Sequence, residues 1–90
     1  MPSRDDIKPQ VIQKIARVAE RPSEEIHEQD RLWEDLDMVP LLRKTMAKPY
    51  TKIAKKYEGG LPIGMDEAEN LDTVKASIDL VTKRANGDPQ

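Results

Sequence analysis

Leu32-Trp33-Glu34-Asp35-Leu36-Asp37-Met38-Val39-Pro40-Leu41-Leu42-Arg43-Lys44-Thr45-Met46-Ala47-Lys48-Pro49-Tyr50-Thr51-Lys52-Ile53-Ala54-Lys55-Lys56-Tyr57 is the stretch on which the fold turns. Leu32, Trp33 and Leu36 make a compact apolar turn, with Trp33 expected as partly buried core more than as a partner anchor. Leu42, Met46, Ile53 and Tyr57 can share one helical face, which predicts a central helix from about Pro40. Pro49 sits where a continuous helix has its interior, at a cost of roughly 3 kcal/mol, so a kink or break is expected at Lys48-Pro49. Arg43, Lys44, Lys48, Lys52, Lys55 and Lys56 give the same segment a positive outer side with no acid among them.

Outward from this centre, the chain reads as helices and turns. Asp5 or Asp6 is expected to cap a first helix, with Pro9 in its first turn and Ile7, Val11, Ile15 and Val18 as the buried stripe. Pro22 ends that helix, and Ser23-Glu24-Glu25-Ile26 forms a single turn before a polar loop pinned by Ile26. Asp30 is expected to cap the turn that carries Leu32 and Leu36. On the other side, Gly59 or Gly60 supplies a left-handed helix end, and Leu61-Pro62-Ile63-Gly64 is an extended connector. Met65-Asp66-Glu67-Ala68-Glu69 forms one short acidic turn. Asn70 or Asp72 is expected to cap a last helix with Leu71, Val74, Ile78, Val81 and Ala85 on its buried face, stopped by Asn86-Gly87.

The 90 residues support one domain, 1–90, with its core within about 5–85 and a disordered tail at 86–90. The predicted fold class is all-α, a small three- to four-helix bundle with a kinked or broken second helix. Cysteine is absent, which excludes disulfides, thiolate metal sites and thiol catalysis. Without an apolar run after Met1 or any span of ~20 apolar residues, a soluble cytoplasmic monomer is expected. The net charge of -2 conceals a patchwork, because the acids gather in 20–37 and 58–72 and leave the centre basic.

Several fragments together resemble the acyl carrier protein family. Glu20-Arg21-Pro22-Ser23-Glu24-Glu25-Ile26 is similar to the turn after that family's first helix, and Leu32-Trp33-Glu34-Asp35-Leu36 to its apolar-x-Glu-Asp-Leu segment. Tyr57-Glu58-Gly59-Gly60-Leu61-Pro62 resembles the exit from its second helix, and Asn70-Leu71-Asp72-Thr73-Val74 the start of its last. The resemblance implies a role in fatty acid metabolism and a serine, at the start of the second helix, that carries phosphopantetheine. Here Asp37-Met38-Val39-Pro40-Leu41 stands in that place, and Pro40, at the expected serine position, has no nucleophile. Thr45, five residues on, is the nearest hydroxyl. The resemblance further implies an acidic docking helix, whereas this one is basic.

No enzyme is expected. Glu34 and Asp35, adjacent on a turn, point apart, and His27 lacks companion ligands, so no catalytic residue, metal or other cofactor is assigned. The expected function is a non-enzymatic interaction or regulatory module without a prosthetic group. Its recognition surface is Arg43, Lys44, Lys48, Lys52, Lys55 and Lys56, and its partner an acidic protein. The alternatives are a carrier modified at Thr45 and a bundle that binds an acyl chain or anionic lipid without covalent attachment. Nucleic acid is disfavoured by the acidic overall charge, the absence of a recognised module and the small number of aromatics to stack bases.

Overall fold

Ser3, rather than Asp5 or Asp6, caps the first helix in the computed structural model, which describes residues 1–90. Its hydroxyl accepts from Asp6 N–H at 3.2 Å, and the Asp6 carboxylate accepts from Ser3 N–H at 3.1 Å. Asp6 is thus the reciprocal member of a capping box, three residues inside the helix, where its charge also meets the positive helix end. The helix, α1, runs Arg4–Ala19, which moves Pro9 out of the first turn and into the helix interior. The carbonyl that loses its donor belongs to exposed Asp5, where water can replace it. At the far end Glu20 adopts the left-handed conformation and Arg21 N–H reaches back to Ala16 O, ahead of Pro22.

The expected turn at Ser23–Glu25 is a short 3-10 turn, and Ile26 is buried after it. The loop from there to Val39 is less passive than its polarity implied. Leu32 N–H donates to Asp72 O, Val74 N–H to Asp30 O and Lys75 N–H to Glu28 O, all at 2.9–3.0 Å, which ties the loop to the start of the last helix. Asp30 does not cap the turn that follows it: its carboxylate accepts from His27 N–H at 2.8 Å, and Asp35 reaches back to Arg31 N–H at 2.7 Å instead. Leu32, Leu36 and Met38 are buried by this turn, while Trp33, between them, is 51% exposed. Leu32 and Leu36 point inward, and Trp33, one residue on from Leu32, is turned out to the surface.

The central segment is two helices, α2 (Pro40–Thr45) and α3 (Ala47–Ala54). The break lies at Met46, earlier than Lys48-Pro49. Restarting there puts Pro49 third in α3, within the first turn, where an N–H has no helical acceptor to miss. Met46 N–H turns back to Arg43 O at 3.1 Å and Tyr50 N–H begins the new ladder on Met46 O at 3.0 Å. The re-aimed α2 packs on α4 (Met65–Glu69), which leaves Leu41 68% and Leu42 36% exposed. Leu42 therefore falls outside the core. Met46, Ala47, Tyr50, Ile53 and Ala54 form the buried face instead, and Tyr57 is half-buried.

Thr73, rather than Asn70 or Asp72, caps α5 (Val74–Ala85): its hydroxyl accepts from Ala76 N–H at 3.0 Å. Leu71 precedes the helix and only flanks the core, as Val18 does from α1. α1 packs against α5 and α3, and α3 against α5, so Ile7, Val11, Ile15, Ile53, Val74, Ile78 and Val81 meet in one centre. Apart from one isolated bridge, Arg31 with Thr73, the secondary structure is entirely helical, and no helix is long and apolar enough to cross a membrane. Side chains reinforce the packing. Arg4 joins Glu28 and Asp79, each at 2.6 Å, and with Lys8 holds the Glu28 carboxyl down at about 2. Arg84, 5% exposed, pairs with Glu67 of α4. Asn86 bonds Pro2 O and Thr82 O, and Asp88 N–H bonds Lys83 O at 2.9 Å.

Gly59 takes a φ of 83°, the left-handed end expected there, whereas Gly60 is required by space. A Cβ at Gly60 would lie 1.9 Å from the carbonyl oxygen of Ala54, while one at Gly64 would meet nothing nearer than 3.5 Å. Gly60→Ala should therefore lower unfolding stability in urea by about 3 kcal/mol, the upper end of overpacking costs, with Gly64→Ala nearly neutral.

Tyr50 is buried with its hydroxyl unpartnered, and burial pushes its phenol above the ordinary value of 10.0. Ser77 acts in the opposite sense and does not offset the burial, and its own hydroxyl donates to Thr73 O. Since the folded phenol ionises later than the unfolded one, its contribution to stability is complete below pH 10.0 and lost as pH rises beyond it. Tyr50→Phe should raise stability by about 1 kcal/mol at pH 7, the cost of an unpaired buried hydroxyl. It should also flatten the alkaline decline seen in wild-type urea melts.

Candidate functional site: a cationic groove

Lys48, Lys52, Lys55 and Lys56 follow one another at helical spacing along the outer side of α3 and its exit. Beneath them α3 turns Ala47 and Ile53 inward, and the connector from Leu61 to Gly64 lays Ile63 alongside. One hydroxyl fixes that connector. Thr51 Oγ1 accepts from Ile63 N–H at 3.0 Å and lies 3.2 Å from Ile63 O as its donor. Leu61 N–H also bonds Arg84 O at 2.9 Å. The result is an open groove of about 790 Å³ between α1, α3 and the connector. Its floor is apolar, Met65 stands 61% exposed at its lip, and lysines surround it.

Lys14 of α1 completes the cationic rim. Lys56 Nζ donates to Gln10 Oε1 at 2.8 Å, and Gln10 in turn donates to Tyr57 Oη at 2.8 Å, which holds that corner in place. None of Lys14, Lys48, Lys52, Lys55 and Lys56 has a carboxylate within 4.0 Å. Elsewhere the chain does pair its cations: Arg4, Lys8, Arg21 and Arg84 all make ion pairs. What sets the groove apart is that five unpaired lysines share one concavity.

The six positions singled out in the sequence separate here. Lys48, Lys52, Lys55 and Lys56 line the groove. Arg43 instead braces the fold: Nε donates to Glu69 O and Nη1 to Met38 O, both at 2.9 Å, and its guanidinium lies 5.1 Å from the Trp33 ring centre. Lys44 is half-buried and outside the groove. Lys14, Ala47, Ile63 and Met65 were not singled out as site residues. Lys14 belongs because α1 packs on α3, a contact that spacing within either helix does not contain.

No hydroxyl stands at the start of α2. Pro40 is the first residue of α2, and Thr45 closes the same helix with its hydroxyl donating to Leu42 O at 2.7 Å. Ser3 caps α1, Ser23 lies in the 3-10 turn and Ser77 is buried. The residues at the start of α2 thus do not fit a phosphopantetheine attachment. His27, Glu34 and Asp35 are exposed, and no group of three or more His, Asp or Glu side chains is placed to hold a metal ion. Comparison with known protein families, with characterised proteins and with solved structures gives no match, so the likeness to acyl carrier proteins rests on the residues quoted above.

Proposed function

We propose that this chain is a non-enzymatic interaction module, similar to an acyl carrier protein but without the prosthetic arm, that docks an acidic protein partner in the groove between α1 and α3. The observation that carries the reading is the set of five lysines without carboxylate partners gathered around one groove with an apolar floor. Like charges held along one helix repel one another, so the clustering of charge does not itself stabilise the fold. It attracts anions over distance and sets the orientation of their approach. Pro40 and the engaged Thr45 hydroxyl support the absence of an arm. The lack of cysteine is compatible with a cytosolic setting.

Two measurements test the reading. Incubation with a phosphopantetheinyl transferase and coenzyme A should leave the intact mass unchanged; a gain on Thr45 or on any serine would make the chain a carrier. Proteins retained from lysate by the immobilised wild type should be acidic. They should elute as salt shortens the screening length below the ~8 Å of physiological strength. A variant with Lys48, Lys52, Lys55 and Lys56 all changed to Glu should keep its far-ultraviolet circular dichroism and lose those proteins. Equal retention by that variant would reduce the lysines to a solvated surface.

A further inference from the structure

We infer that the acidic partner presents an amphipathic helix, with at least one bulky apolar side chain seated against Met65 and the carbon stems of the lysines, above Ala47, Ile53 and Ile63, and carboxylates on either side of it. This rests on the docking reading above and specifies the chemistry of its partner. Two features of the groove carry it: the floor is recessed, and the charges are spread out.

Ala47, Ile53 and Ile63 close the bottom of the groove with little exposed surface of their own, and its accessible apolar surface is Met65 with the carbon stems of the lysines. A flat anionic bilayer would meet the lysines without reaching such a floor, whereas a Leu or Phe side chain on a convex helix can enter it. Met65, unbranched and polarizable, can close over side chains of differing shape. The charges are distributed in a way that a single anionic head group cannot satisfy. From Lys48 to Lys55 the helical rise is about 10 Å at 1.5 Å per residue, close to two turns of a partner helix. Lys14 adds a cation from a different helix, so carboxylates on both flanks of an apolar ridge find partners. No aromatic side chain lines the groove, which removes the stacking platform that a single-stranded nucleic acid uses. The remaining fit is the helix-in-groove mode, with apolar anchors at i, i+3, i+4 and i+7.

The test uses the full chain and three fluorescein-labelled synthetic peptides of equal length. The first carries Leu at i, i+3, i+4 and i+7 with Glu at the flanking positions. The second replaces each Leu by Ser, and the third replaces each Glu by Gln. Fluorescence anisotropy should show saturable binding of the first, at least about tenfold weaker binding of the second because its anchors no longer bury apolar surface, and loss of the third. Lys14→Glu and Met65→Ser, both surface changes, should each weaken the first peptide several-fold; Arg21→Ala, away from the groove, should not.

Equal binding of the Leu and Ser peptides would overturn the amphipathic assignment and leave the docking reading standing on charge alone. Failure of all three peptides would overturn it too, and the lysate experiment then decides the docking reading separately. Sedimentation with vesicles containing phosphatidylserine, or binding of laurate, that is lost in Lys52→Glu while no peptide binds would assign the groove to lipid and overturn the inference.

Discussion

Pro49 has no N–H to offer the carbonyl of Thr45, and the placement of the central helices follows from that one missing donor. Continuing the helix through it would leave a gap in the ladder and a ring against the preceding turn. Restarting at Met46 removes both problems, because Pro49 then falls where α3 has no use for its N–H. The cost is transferred to α2. Too short to reach the bundle centre, it rests on α4 with Leu41 and Leu42 outward and with Arg43 holding Glu69 O and Met38 O. Freed of that register, α3 turns Tyr50, Ile53 and Ala54 to the centre and its lysines to the α1 side.

Where a role depends on chemistry within a few residues, it is legible in the chain. Val11, Ile15 and Ile78 declare themselves by spacing, Pro40 by its fitness for a first helical position and Gly59 by its tolerance of positive φ. Where a role depends on a distant partner, local reasoning chooses wrongly. Ser3 displaces Asp5 and Asp6 as a cap because Asp6 can reciprocate from three residues on. Thr73 displaces Asn70 and Asp72 because backbone bonds with Asp30 and Leu32 keep residues 72–74 beside the loop until the helix can begin. Leu42 and Trp33 are apolar in composition and exposed in fact, Trp33 because Leu32 beside it takes the core position and Leu42 because α2 packs on α4 with no residue buried. The candidate site divides in the same way: the lysines of α3 were visible as a run, but Lys14 and Ile63 join them only through tertiary contact.

The gathering of five unpaired lysines around one concavity supports treating the groove as more than incidental surface. Exposed pairs contribute little each, and a small chain has no energetic need for many of them. Even so, Arg4 takes two carboxylates, Lys8 shares one of them and Arg84 is covered by Glu67, so acids and bases have come together where α5 meets α1 and α4. Around α3 they have not. Glu67, two residues beyond Met65 at the lip of the groove, pairs with Arg84 instead.

The floor of the groove is also part of the core, which gives occupancy an energetic reach beyond the surface. Ile53 and Ile63 belong to the central apolar cluster, and Thr51 holds Ile63 by both its N–H and its carbonyl. An occupant that binds only the folded chain raises its stability according to concentration and affinity, and a domain of 90 residues has little stability of its own. Two strains are available for relief: repulsion among the lysines, which any anion reduces, and the apolar surface between Met65 and the floor, which only an apolar group covers. A simple polyanion addresses the first and a neutral hydrophobe the second. A surface that joins both properties at helical spacing addresses the two together, and so draws more stabilisation from the same groove than either chemistry alone.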